Sequence, residues 1–550
     1  MNKLKVLSVL ICGGMSASSF AMNPQVDPNN PNGYVVSRVE LNQYRDTKTA
    51  DPMYATWAKA LETLNNTAVQ AIAPNLQTNP DNVKRAERIF PEAEWDFLTK
   101  MAAPEYTYTR FLRAIGKFPA FCGDYADVAK DADAICKKSI VTAFAHFAQE
   151  TGGHISKDNK SDNPEQLEEW QQALVHVREM SWSEGDAGYT VGCNEKNWQT
   201  SRWPCVAGKG YFGRGAKQLS YHFNYGAFSE VMFDGDASVL LNNPGLVADS
   251  WLNMASAIWF FLTPQAPKPA MLHVIDRTWT PSQREVNAGI GYGFGTTINV
   301  INGGIECGAQ NETKGQPVNR IRYWEGLAAH YNIDIQSDEE NTCFQQTPFG
   351  SLNLEGATDV LYTNWEGDWK YHADRPKGQS FECKLVAYQT AYSALVPEDY
   401  EKCVTNFHNS HAGWPVIRVV DQLGGPIVEP PVDGVNAWVD SSVYLNGEQV
   451  SYKTGIYEAK WYTQGNLPNQ GGPWRVIKEP TGTEPPVVVD PPVVVDPPVV
   501  VDPPVDGVSA WKASQVYRGK DKVSYNGTLY EAKWYTQGDK PNQGSPWKAI

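Results

Sequence analysis

Residues 435–475 and 508–548 form an internal repeat, aligned without gaps at an offset of 73. Trp438 matches Trp511, Tyr444 matches Tyr517, Trp474 matches Trp547, and YEAKWYTQG recurs at 457–465 and 530–538. Such a repeat forces the C-terminal end of the chain to be two copies of one small unit, whatever precedes them. Between the copies, Pro485 to Asp506 repeats PPVVVD. Paired prolines favour extended polyproline II and the aspartates keep it hydrated, so this is a semi-rigid spacer of roughly 70 Å. Each copy is small for a hydrophobic core and contains no cysteine. Its aromatic residues must therefore both fill that core and form any binding surface. Adjacent Trp and Tyr inside a strand would turn one ring inward and one outward.

The rest of the 550 residues is long enough for further domains. Residues 1–21 read as a secretory signal: Lys3 and Lys5, an apolar run from Val6 to Cys12, and a small-x-small site at Ser19-Phe20-Ala21. No later run is long and apolar enough for a membrane span. The net charge of −15 argues against nucleic acid or an anionic membrane as partner and is compatible with an uncharged polymer. Once Cys12 leaves with the signal, eight cysteines remain: Cys122, Cys136, Cys193, Cys205, Cys307, Cys343, Cys383 and Cys403. An even number in an exported chain reads as four disulfides, and nearest-neighbour pairing is the expectation. No CxxC or HExxH pattern points to a metal, and no cofactor is expected.

From Ile89 to about residue 340 the pattern is helices joined by Gly-rich loops, a mainly α domain. Within it, Ile140, Phe144, Phe147 and Thr151 form the stripe of a helix packed on one side, which Gly152 and Gly153 end by taking the left-handed conformation. Glu150 sits in the last turn. Apolar neighbours and the negative end of the helix both disfavour its charged form, which suits a general acid. A second carboxylate, Glu179, lies in ALVHVREMSW (173–182), where Arg178 and Glu184 compete for attention and a surface helix with Arg–Glu contacts is the plainer reading. Two carboxyls across a cleft are the equipment of glycosidic hydrolysis. The most distinctive segment is KGYFGRGAKQLSYHFNYG (209–226), whose Gln218, Ser220 and Asn224 suit sugar hydroxyls or an attacking water. Residues 253–262 read as a buried core helix. In GIGYGFGTTINVINGGIECG (289–308) the glycines are too irregular for a dinucleotide fingerprint, and Asn302-Gly303-Gly304 is a turn signal.

These segments resemble the catalytic domain of glycoside hydrolase family 19 chitinases. TYTRFLRAIGKFPAF (107–121), AQETGG, WPC, GYFGRGAKQLSYHFNYG, WFFLTPQAPKP (259–269) and INGGIECG (301–308) come in the family's order. The resemblance implies an α-rich, two-lobed, lysozyme-like fold with a substrate cleft, spanning 86–345. It implies cleavage of β-1,4 bonds between N-acetylglucosamine units with inversion. Carried over, it makes Glu150 the general acid and Glu179 the general base, with Ser220 holding the water. Trp203, Tyr211, Gln218, Asn224 and Asn302 would line the sugar subsites, and Arg320 and Glu306 would form a charge network with Glu179. The chain departs from the family at Gln149, Thr151-Gly152, Phe223 and Val175, which bears on subsites more than on the reaction.

The AKWYTQG signature resembles carbohydrate-binding modules of family 5/12, compact all-β modules that bind chitin. This implies stacking rings at Trp461, Tyr462, Trp534 and Tyr535, helped by Tyr444 and Tyr517, with Trp438, Trp474, Trp511 and Trp547 left to the cores. The expected organisation is therefore a signal (1–21), an unassigned extension (22–85), the catalytic domain (86–345) and an unassigned elaboration (346–427). A linker (428–434), a first module (435–478), a second linker (479–507) and a second module (508–550) follow. The expected protein is a secreted, monomeric endochitinase acting on chitin and chitooligosaccharides, with no nucleic acid or membrane partner. A peptidoglycan hydrolase and a non-catalytic chitin adhesin are the alternatives.

Overall fold

The computed structural model describes residues 22–421 apart from 126–127, 187–188, 190–192, 194–197 and 412, together with most of 435–478 and 508–550. The expected signal, both linkers, and Trp534 and Tyr535 lie outside the described residues.

One hydrophobic core runs from Val69 to Phe349 and is built almost wholly from helices. At its centre is the Ala132–Thr151 helix. Asp131 caps its start by accepting from the amides of Asp133 and Ala134, leaving fewer unpaired donors in the first turn. From Ser139 to Ala148 every side chain is buried. This helix is enclosed on all sides, rather than striped on one, because the helices Tyr108–Lys117 and Gly315–Tyr331 and the Phe90–Trp95 segment surround it. Phe144 alone meets the rings of Phe90, Trp95, Phe111 and Phe147. The Leu252–Leu262 helix is a core helix, as its composition predicts.

The end of the central helix differs from expectation. Gly152 has φ −76° and ψ 168°, extended rather than left-handed. Glycine is required there by close approach: a Cβ would stand 2.1 Å from the Ala148 carbonyl oxygen and 3.0 Å from that of Gln172. The strand-like contact that fills the space, Gly153 N–H to Gln172 O at 3.1 Å, ties the end of the helix to the Glu179 segment. Likewise, Asn302-Gly303-Gly304 is not a turn. It continues the Phe294–Glu306 helix across a kink at Asn302, φ −145°.

Of the two stretches without a readable motif, Val69, Ile72, Val83 and Phe349 join the helical core, while residues 22–48 and 363–421 fold onto each other. Strand Asn30–Ser37 lies between Gln25–Asp27, antiparallel, and Ile417–Val420, parallel, in the register Val36↔Val419. Strand Asn364–Gly367 is the middle of a second small sheet, and the Asp399–Asn409 helix packs on both. Met22, Val36, Leu41 and Tyr44 share a buried cluster with Trp365, Phe381, Tyr400, Val404 and Ile417. The four disulfides join Cys122–Cys136, Cys193–Cys205, Cys307–Cys343 and Cys383–Cys403, the nearest-neighbour set.

Each C-terminal repeat is a small β unit. In the first, Gly455–Ala459 pairs antiparallel with Gln449–Tyr452 and Trp474–Lys478. In the second, Thr528–Ala532 does so with Lys522–Tyr525 and Trp547–Ala549. The register Val450↔Tyr457 recurs as Val523↔Tyr530, so the sequence offset is also a structural one.

Candidate active site

Glu150 emerges from the last turn of the central helix with its side chain 18% exposed. Its partner is Arg320, from the Gly315–Tyr331 helix, which donates to Glu150 Oε1 through Nη2. The same guanidinium makes two bonds to Glu306, at 2.8 and 3.0 Å, and a third to His146 Nδ1 at 3.2 Å. Asn302, at the kink, donates to Glu306 Oε1 at 2.8 Å. The kink thus aims an amide at the network, which a regular turn of helix would not supply. His146 accepts from Arg320 and donates from Nε2 to Thr297 Oγ1 at 3.0 Å, and burial, then the charges of Arg320 and Lys217, hold it neutral.

This corrects two expectations. Arg320 and Glu306 form their network with Glu150, not with Glu179, because the Gly315–Tyr331 helix packs on the central helix and the Phe294–Glu306 helix meets it at His146. The Glu150 carboxyl is also held below the usual range. Burial pushes it up, but the charges of Arg320 and Lys217 and the Arg320 hydrogen bond together push it down further. In the free protein Glu150 is a paired carboxylate.

Glu179 is half-buried, and its segment is not a helix. It runs extended against the Gly213–Leu219 turn: Glu179 N–H donates to Gly213 O at 2.8 Å and Gly215 N–H to Val177 O at 2.8 Å. Glu179 Oε2 accepts from Gly213 N–H at 3.0 Å, and Oε1 from the Tyr189 hydroxyl at 2.5 Å. Burial, then that hydrogen bond, push the Tyr189 phenol up to about 12, so it stays a donor. Arg178 and Glu184, the competitors in the sequence, are bonded to each other at 2.9 Å, and Glu184 is also held by Arg214 at 2.9 Å. That leaves Glu179 as the carboxylate of this segment with no arginine partner among the described residues.

The turn beside Glu179 also reaches Glu150. Gly215, at φ +75°, lets the chain reverse, and Gln218 N–H bonds back to Gly215 O at 3.0 Å. At one end a Cβ on Gly213 would stand 2.6 Å from Gln218 Oε1 and 3.2 Å from Glu179 Oε2, so amide and carboxylate face the same bare backbone. At the other end Ala216 and Lys217 line a small pocket with Glu150, His146, Phe260 and Ile301. Four residues separate these contacts, a span of at most about 14 Å even if extended. Ser220, which donates to Gln218 O at 2.9 Å, and Asn224, which donates to Ser220 O at 2.9 Å, continue the polar edge, both half-buried.

Two expected subsite residues belong to the core instead. Trp203 is 5% exposed, with its ring seated on Gly226, where a Cβ would come within 2.3 Å. Tyr211 is fully buried; its hydroxyl donates to Leu241 O at 3.0 Å and accepts from Val206 N–H at 3.0 Å, leaving nothing for a sugar. Sequence reasoning missed Lys217 and Tyr189. The first stands inside the most distinctive motif as a cation among apolar and amide neighbours, a signal that could have been weighed.

In the first repeat Trp461 and Tyr462 are 54% and 61% exposed. Both rings face out because they occupy the bend between strands Gly455–Ala459 and Thr463–Gln464, so strand alternation does not apply. Tyr444 meets Trp474 at 5.3 Å and flanks the module's core. Tyr517 is 3% exposed against Trp547, a core residue rather than a surface helper.

Residues 98–340 match the family described as chitinase class I, glycoside hydrolase family 19, and residues 510–548 match carbohydrate-binding module family 5/12. Chitinase 1 of Oryza sativa subsp. japonica is 35% identical over 252 residues, covering 45% of this chain and 68% of that one. The basic endochitinase of Vitis vinifera is 35% identical over 254 residues, covering 45% and 69%. Among solved structures, a bacterial family 19 chitinase is 25% identical with a TM-score of 0.32, covering 46% of this chain and all of that one. Chitinase C of Streptomyces griseus is 22% identical with a TM-score of 0.32, covering 46% and 80%.

Proposed function

Because the chain belongs to the glycoside hydrolase family 19 chitinases, we propose that it is an exported endochitinase that inverts the anomeric centre and is anchored to chitin by both C-terminal repeats. Family membership makes it a glycoside hydrolase, and residues 510–548 match a carbohydrate-binding module. The observation that carries the finer reading is the Gly213–Gln218 turn, which touches Glu179 at one end and lines the Glu150 pocket at the other.

In this reading Glu150 is the general acid and Glu179 the general base. Glu179 accepts from an amide and a phenol and has no cationic partner among the described residues, an arrangement suited to taking a proton from water. Ser220 and Gln218 orient that water. Glu150 must first gain a proton, because Arg320 holds it as a carboxylate. A sugar ring entering beside it excludes water and raises the cost of that charge, which favours protonation when the glycosidic oxygen arrives. Glu306 remains to hold Arg320 as the contact to Glu150 loosens. Water then attacks the face opposite the leaving group.

The exposed Trp461–Tyr462 pair and the shared strand register support a binding role for the first repeat as well as the second. Multivalent anchoring raises the local concentration of enzyme on a solid substrate. The four disulfides support an oxidising compartment. Among the described residues no helix is long and apolar enough to cross a membrane.

The test is proton NMR of the first product formed from a soluble chitin hexamer, with Glu150→Gln and Glu179→Gln alongside. The expected product is the α-anomer, and each variant loses at least about a hundredfold in kcat. A β-anomer removes Glu179 as base, and wild-type turnover by Glu150→Gln removes the acid.

A further inference from the structure

The pocket that holds Glu150 contains a cation that the network around Arg320 does not account for. Lys217 is half-buried on the Gly213–Leu219 turn, with its ammonium 4.2 Å from the centroid of Phe260. The remaining lining is Ala143, Phe147, Ala216, Ala257, Phe261, Met271 and Ile301, all apolar, with His146 neutral. Lys217 has no hydrogen bond or ion pair among the described residues. A half-buried ammonium held only against a ring face gains little for folding, so its presence calls for a reason other than stability.

The charges around Glu150 supply one. His146, on its own helix, is neutral. His154, just beyond the helix end, bonds to Gln149 O and Tyr323 and does not reach the carboxylate. The Phe294–Glu306 helix contributes Glu306 and the Gly315–Tyr331 helix contributes Arg320, bound to each other by two hydrogen bonds. The Leu252–Leu262 helix contributes only apolar groups to this pocket. Lys268 donates to Val300 O at 3.0 Å and is not among the charges that act on Glu150. Glu179 lies at the far end of the turn. Arg320 thus faces two carboxylates with one charge, and the group is neutral only when Lys217 is counted.

We propose that Lys217 is a positioning residue for the reaction, the counter-charge that holds Glu150 as a carboxylate in the free enzyme and so sets the pH above which the acid cannot be loaded with its proton. The direction of the Glu150 shift agrees, with Lys217 acting after burial and Arg320. Lys217 in turn is pushed down by burial, and the Glu150 charge opposes that. With a neutral residue at 217 the group would carry an uncompensated negative charge. Protonating Glu150 is the simplest relief, because Glu306 keeps both bonds to Arg320.

The inference rests on Glu150 being the proton donor, and the experiment separates the two. kcat/KM on a soluble chitin hexamer is measured against pH for wild type, Lys217→Met, Lys217→Arg and Glu150→Gln. An opposite charge within about 4–6 Å moves a carboxyl by about one unit or more. The alkaline limb of Lys217→Met should therefore move up by about one pH unit, and that of Lys217→Arg should stay within a few tenths. A limb that stays put in Lys217→Met while Glu150→Gln is inactive overturns the role of Lys217 and leaves the acid assigned. Full activity in Glu150→Gln overturns both. Carboxyl NMR of carbon-13-glutamate protein, with Glu150→Gln identifying the resonance, reads the same shift without turnover. Lys217→Gln serves in both measurements if the methionine variant does not fold.

Discussion

Glu306→Gln perturbs the same carboxyl in the opposite direction. Glu306 and Glu150 share Nη2 of Arg320, at 3.0 Å on the Glu306 side, so their charges lie about 5 Å apart. Arg320 and Glu306 are each 2% exposed, so bulk water screens the pair little. At an effective dielectric of about 20 the repulsion is about 3 kcal/mol, or about two pH units. Glutamine keeps the shape and an oxygen for Arg320 but removes the charge. Arg320 is then left to Glu150 alone, the ionised form gains, and the carboxyl falls further. A general acid works only when protonated, so activity is lost as pH rises through its pKa. The alkaline limb of kcat/KM should therefore move down by one to about two units. The assay is the pH profile on a soluble chitin hexamer, with circular dichroism to show that the variant is folded. A limb that stays, or moves up, refutes the account of Glu306 as the charge that lightens the hold of Arg320 on the acid.

Gly226→Ala places a methyl 2.3 Å from the buried Trp203 ring and should cost about 2 kcal/mol, read as a fall in calorimetric Tm with the active-site pH profile unmoved. Trp461→Ala should weaken retention on crystalline chitin about tenfold and leave hydrolysis of soluble oligomers unchanged, whereas Trp474→Ala, 2% exposed, should unfold its module. Ending the chain after Leu354 removes Trp365, Phe381, Tyr400 and Ile417 from the second core, so trypsin should cut at Arg38, Arg45 and Lys48 while residues 66–350 stay intact.

Local pattern carried much of this molecule. The central helix, the apolar Leu252–Leu262 helix, the disulfide pairs and the duplicate β units all depend on neighbours in sequence. The motif around AQETGG and GRGAKQLSY brought Glu150, Glu179 and Gln218 to notice, and these do meet one turn. What stayed hidden depended on distant partners. The local surroundings of Glu150 predict a raised carboxyl, yet Arg320, 170 positions away, reverses the sign. A loop crowded with aromatic rings does not say which of them turn inward, and Trp203 and Tyr211 do because Gly226 and Leu241 O receive them. Residues 22–48 and 363–421 have no motif because their order comes from pairing across nearly 400 residues, as in Ser37 Oγ to Asp421 O.

That pairing has a consequence for biosynthesis. Strand Asn30–Ser37 leaves the ribosome before the catalytic body, and the edge it pairs with in parallel, Ile417–Val420, arrives after that whole body has been made. Topologically, the hydrolase is an insertion inside a small host fold whose halves are the two ends of residues 22–421. The host can close only once its guest is compact enough to bring those ends together, so its closure records that the enzyme between them has folded.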